Sequence, residues 1–199
     1  MASELIVQTL KGPTSGANAN KVIVPSGQTL DIDAWSPPAG TVIEIYQSTL
    51  QGGWSTTSSS WSDITDLSIT VTPKSSSSKF YVEFQVTGGN NNGSAGVKIV
   101  RDISGVGSSN IMNGISWSSR VPASVANYYT HGNNDSQNTN GVSKLDSPAT
   151  TNNITYKLQA RVGDTSGGGT FQINNTVAQT DAAYTFLTTS FITVWEIAG

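Results

Sequence analysis

An all-β fold, a jelly-roll-like antiparallel β-sandwich preceded by a short extended segment, is what this sequence predicts, on three observations. Short runs alternate apolar and polar residues at period two. Between them lie intervals crowded with Ser, Thr, Asn and Gly. The same polar residues compete with helical backbone bonds, which makes helix scarce. The clearest run is residues 79–86, where Phe80, Val82, Phe84 and Val86 fall on one side of a strand and Tyr81, Glu83 and Gln85 on the other.

Taken in order, residues 5–10 form a short apolar run and residues 11–20 a Gly/Asn/Pro-containing link without a core of its own. Residues 21–25 and 29–33 read as two short strands about Ser26, Gly27 and Gln28. A pair so small is marginal in water alone, so it needs partners. Val22, Val24, Leu30 and Ile32 could supply a core shared between copies of the chain. Pro37 and Pro38 remove two backbone donors and mark a boundary. The expected division is a segment over residues 1–38 and a β-sandwich over residues 39–199.

Within the sandwich, residues 41–47 predict a strand, and residues 54–61 are Ser/Thr-rich between Trp54 and Trp61. Leu67, Ile69 and Val71 alternate with polar residues before the polar connection 73–78. This run and 79–86 are therefore expected as antiparallel neighbours on one sheet. Residues 88–93, rich in Gly and Asn, predict a turn, and 96–102 a strand. Further strands are expected at 111–118, 125–129, 142–147, 154–162, 170–174 and 190–197, with a solvent-exposed loop at 131–141. In the last strand both faces are largely apolar, which predicts a central position or cover by another subunit.

Composition narrows the function. Hydrophobic residues are 36% and charged residues 12% of the 199, with net charge -3, so there is no basic field to attract phosphate backbones and no nucleic-acid partner is expected. Cysteine is absent, which excludes disulfides and thiolate metal sites. No secretion signal and no membrane-spanning apolar run are visible, so synthesis in a cytoplasm without membrane insertion is expected.

Several separated segments resemble the fibre-like virion structural proteins of tailed bacteriophages, of the type found in marine cyanophages. They are residues 5–13 and 19–30, then 64–73 with Ser78 and Lys79, then 98–102, 146–148, Thr155 with Tyr156, and the terminal 195–199. The resemblance implies an all-β domain displayed on the virion as a homotrimer, with residues 1–38 docking to other virion proteins or forming a stalk. It implies a role in host attachment, with capsid decoration or a head fibre without receptor binding as the alternative. The Asn/Gly loop at 132–141 and Trp195 depart from the expected pattern.

Candidate sites are few. His131 is the one histidine, and no Gly-x-Ser-x-Gly elbow accompanies it, so no catalytic residue and no enzyme activity are expected. No metal site and no cofactor are expected either. Asp31 with Asp33, and Asp63 with Asp66, could pair as glycosidase carboxylates but read more simply as solvated strand positions. A polysaccharide depolymerase is disfavoured by length and by the absence of a β-helix repeat. For contact with a host surface, with a glycan as the ligand considered, the candidates are Tyr128, Tyr129, His131, Asn133, Asn134 and Asp135, where aromatics run into Asn-rich sequence.

Overall fold

Residues 11–19, 21–28, 36–128, 134–163 and 169–199 are described by the computed structural model, Tyr128 by its backbone alone. Among them are eleven strands and no helix: β1 (Val42–Leu50), β2 (Trp54–Thr56), β3 (Ser62–Val71), β4 (Lys79–Asn90), β5 (Ser94–Ile103), β6 (Gly107–Asn110), β7 (Val125–Tyr128), β8 (Asn138–Asp146), β9 (Ile154–Val162), β10 (Phe171–Ile173) and β11 (Ser190–Ile197). The chain divides into two units, Met1–Ser36 and Pro37–Gly199. All eleven strands belong to the second.

That unit is an antiparallel β-sandwich. One sheet has the order β1-β11-β4-β10-β2 with β8 also paired to β4; the other has the order β3-β9-β5-β6 with β7 also paired to β5. Period-two alternation sends one side of each strand inward. Phe80, Val82, Phe84 and Val86 of β4, with Ile192 and Val194 of β11, meet Leu67, Ile69 and Val71 of β3 and Ile154, Tyr156, Leu158 and Ala160 of β9 in one core. β11 is central in its sheet, paired to β1 on one edge and β4 on the other.

The 67–71 and 79–86 runs, expected as neighbours on one sheet, lie instead on opposite sheets: β3 pairs with β9, and β4 with β8, β10 and β11. Alternation specifies which face of a strand is buried, not which strand lies beside it. Stacked sheets are about 10 Å apart, a gap that the connection 73–78 spans easily at up to ~3.3 Å per residue. This crossing is tied down by Glu196, whose Oε1 accepts hydrogen bonds from the Lys74 backbone N–H and the Ser78 hydroxyl, each at 2.7 Å.

Other expectations are corrected locally. Residues 88–90, read as turn, continue β4, and their carbonyls and N–H groups are taken up by β8 and β10. Residues 138–141, read as exposed loop, are the first part of β8. Gly141 allows the close approach there, because a methyl at its α-carbon would lie 2.4 Å from the Phe84 carbonyl oxygen. Residues 111–118 form no strand; the strand in that region is β6, and Trp117 makes a single bridge to Arg120.

In the first unit, residues 21–25 form no strand, consistent with the marginal stability of an isolated hairpin. The turn about Ser26 and Gly27 is present, closed by Gln28 N–H donating to the Pro25 carbonyl at 3.1 Å with Gly27 at φ 83°. Leu30 and Ile32 lie outside the described residues, and Val22 and Val24 are exposed.

Candidate functional site

The expected contact residues are only partly described. Tyr129, His131 and Asn133, and the side chain of Tyr128, lie outside the described residues, as do Asp31 and Asp33. Asn134 and Asp135 form a turn tied to residues 176–180: the Asn134 carbonyl accepts from Ala178 N–H at 3.2 Å, and Thr180 Oγ1 donates to Asp135 Oδ1 at 3.3 Å. Asp63 and Asp66 do not act as a pair. Asp63 accepts from Lys157 Nζ at 2.7 Å and Gln159 Nε2 at 2.6 Å. Burial opposes its ionisation, yet these two donors hold its carboxyl below the ordinary range. Asp66 sits at φ 67° in the register shift of β3. Among the described residues no three His, Cys, Asp or Glu side chains gather as a metal site.

The two Trp residues considered together in the sequence separate. Trp54 packs against the core, whereas Trp61 lines a cleft, an open hollow of about 500 Å³ on the outer face of the second sheet. Its floor is a cross-strand row. Arg161 of β9 pairs with Gly96 of β5, which pairs with Ala126 of β7. Residues 97 and 160, one step along, point into the core, so this row points out.

Small residues in the row make the hollow. A methyl on Gly96 would lie 3.2 Å from Ala123 Cβ and 3.4 Å from Trp61 Cη2, so its bare α-carbon lets the Trp61 edge and the 119–123 segment close over β5. That segment is anchored by Ser124, whose N–H donates to the Val97 carbonyl at 2.9 Å and whose Oγ accepts from Ile99 N–H at 3.1 Å. Ser124 Oγ also donates to the Met112 carbonyl. The Arg120 guanidinium stands 5.8 Å from the Trp117 ring centroid, and Lys98 Nζ 4.6 Å from that of Trp61. Burial lowers the Lys98 ammonium below its ordinary value against the opposing pull of Asp63. Ser94, Ser119 and Val121 also line the cleft, and among the described residues no Asp or Glu does.

Sequence reasoning missed Arg120 and Arg161. The available signal was scarcity: the chain has three arginines, which makes the position of each informative.

On the outer face of the first sheet, an apolar row crosses four strands in register: Ile45 opposite Trp195, Trp195 opposite Tyr81, and Tyr81 opposite Leu145. The Tyr81 and Trp195 rings stack at 4.9 Å with 13° between planes. Ile45 and Leu145, at the two ends, are 61% and 50% exposed.

No protein-family model matches this sequence, and no curated protein matches it. Among solved structures, the chain is similar to the structure of infectious bursal disease virus Gx strain, at TM-score 0.40 and 10% identity over 90% of this chain and 44% of that one. It is also similar to the VP2 subviral particle of infectious bursal disease virus, at TM-score 0.38 and 14% identity over 94% of this chain and 45% of that one. The chain thus spans less than half the length of these neighbours.

Proposed function

We propose that this chain is a structural protein of a phage virion, a homotrimeric fibre docked to other virion proteins through residues 1–38, with its β-sandwich presented to the host surface. One observation carries the reading. The segments that resemble cyanophage fibre-like proteins are far apart in sequence but meet in two hydrogen-bonded clusters. Arg101, Asp146 and Tyr156, from three such segments, are joined at 2.7–2.9 Å. Ser78 and Glu196, from two others, are joined at 2.7 Å. Part of the resemblance therefore falls on residues that hold this sandwich together.

The outer surface suits the role. Charged residues are 12% of the chain, and Ser, Thr and Asn cover much of the exposed strands, which limits nonspecific charge pairing on a particle. The exposed apolar row from Ile45 to Leu145 supports assembly with further copies, because single monomers seldom leave such a row in water.

Labelling the chain on purified particles and locating it by electron microscopy tests the proposal. Label on tail fibres supports host attachment. Label at symmetry-related head positions replaces it with head decoration, and absence from particles removes the virion role.

A further inference from the structure

Cationic groups are scarce here, and their distribution is uneven. Of the three arginines, Arg101 is paired with Asp146, and both others, Arg120 and Arg161, line the cleft beside Trp61. Among the described residues neither forms an ion pair, and none of them brings a carboxylate to the lining of the hollow. A chain of net charge -3 thus carries a local patch of opposite sign.

The chemistry of the lining is specific. A guanidinium presents planar donors that match a carboxylate or sulfate group, and a cleft focuses its charge on a small ligand. Trp61, Val121, Ala126 and bare Gly96 give an apolar wall and floor, while Ser94 and Ser119 add hydroxyls at the rim. An apolar ring face, hydroxyl groups and an acid group in one ligand describe an acidic sugar. The volume of about 500 Å³ suits a few sugar units rather than a polymer track. A long polyanion such as nucleic acid would meet the repulsion of the chain's net negative charge.

We infer that this cleft binds an acidic saccharide, with the carboxylate or sulfate taken by Arg120 and Arg161 and the sugar ring set against Trp61. The inference deepens the host-contact reading and rests on it for the source of the sugar. It places the contact on the second sheet's outer face, in addition to the Asn-rich turn that the sequence suggested.

Calorimetric titration of the full chain tests it with four probes: trigalacturonate, its methyl-esterified form, a sulfated galactan trisaccharide and sodium sulfate. The expected result is binding of at least one acidic trisaccharide with Kd below about 1 mM, weakened ~10-fold or more by esterification or by Arg120→Gln, and by Trp61→Ala. Arg120 is exposed, so Arg120→Gln keeps the wild-type unfolding midpoint; Arg161→Gln, half-buried, is read only alongside its own midpoint. Three results each overturn the inference: no acidic saccharide binds, ester and acid bind equally, or Arg120→Gln leaves affinity unchanged. Sodium sulfate binding as tightly as the saccharides also overturns it, reducing the cleft to a simple anion site. Particle labelling is independent: saccharide binding without virion location sinks only the virion reading, and virion location without binding sinks only this inference.

Discussion

The Tyr156 hydroxyl on β9 donates to Asp146 Oδ2 on β8 at 2.8 Å, a hydrogen bond that joins one sheet of the sandwich to the other through its interior. Arg101 Nη1 of β5 contacts both oxygens of the same carboxylate, at 2.7 and 2.9 Å. A carboxylate so enclosed is tolerated because its charge is matched by the guanidinium and its lone pairs are occupied. Tyr156→Phe should cost about 1–2 kcal/mol of unfolding free energy, read from urea denaturation at neutral pH. A smaller change would mean that water replaces the hydroxyl.

The same bond sets an alkaline limit. Burial first, and then the Asp146 charge and hydrogen bond, push the Tyr156 phenol well above its ordinary range. A raised pKa of this kind stabilises the fold fully below the unfolded value near ~10, and the contribution is lost as pH rises beyond it, at up to about 1.4 kcal/mol per pH unit. Tyr46 is pushed upward too, by burial and then its hydrogen bond to Glu44. Stability should therefore fall between roughly pH 10 and 11.5, less steeply in Tyr156→Phe but not flat. Parallel slopes for wild type and variant would contradict the assignment.

Glu196 controls the connection between β3 and β4. Glu196→Ala leaves the Lys74 N–H and the Ser78 hydroxyl without their acceptor and should cost about 2–3 kcal/mol. Trypsin should then cut after Lys74 faster than in wild type. Glu196→Gln, which keeps an oxygen at that position, should lose less on both measures.

Asn174 is buried at φ 62°, a conformation that Asn tolerates better than other residues with a side chain. Its Nδ2 donates to the Leu50 carbonyl at 2.6 Å and the Gly52 carbonyl at 3.1 Å, and its Oδ1 accepts from Ser190 Oγ at 2.6 Å. Asn174→Ala should cost about 3 kcal/mol by thermal or urea unfolding. Asn174→Asp should recover little, because a carboxylate cannot donate to the two carbonyls.

For the proposed trimer, the apolar row on the first sheet gives a direct test. Light scattering of the wild-type chain should return three times 20.8 kDa, and Leu145→Glu or Ile45→Glu should return the monomer. A trimer that survives both substitutions has its axis elsewhere.

Much of the sandwich was readable in the chain, and the reasons are local. The strand at 154–162 follows from period-two alternation, a property of the extended backbone itself, and that at 190–197 from a short run apolar on both faces; they match β9 and β11. Errors cluster where polar or glycine-rich sequence is strand because a neighbour pairs with it. Residues 138–141 and 88–90 look like loop until β4 and β8 lie side by side, when ladder hydrogen bonds and the space left by Gly141 favour strand. The cleft was half-legible: Trp61 stood out as a rare aromatic in Ser/Thr-rich sequence, but Arg120 and Arg161 gave no local sign of convergence.

By itself, then, the order of residues determined the all-β class, most strand positions and the inward faces of the core, since these depend on each segment's own alternation. Tertiary structure alone decided which strands are partners. It also buried Asp146 and Glu196 beside their donors and set two arginines around Gly96. Those outcomes depend on pairings between residues dozens of positions apart, and alternation carries no information about the partner across the gap.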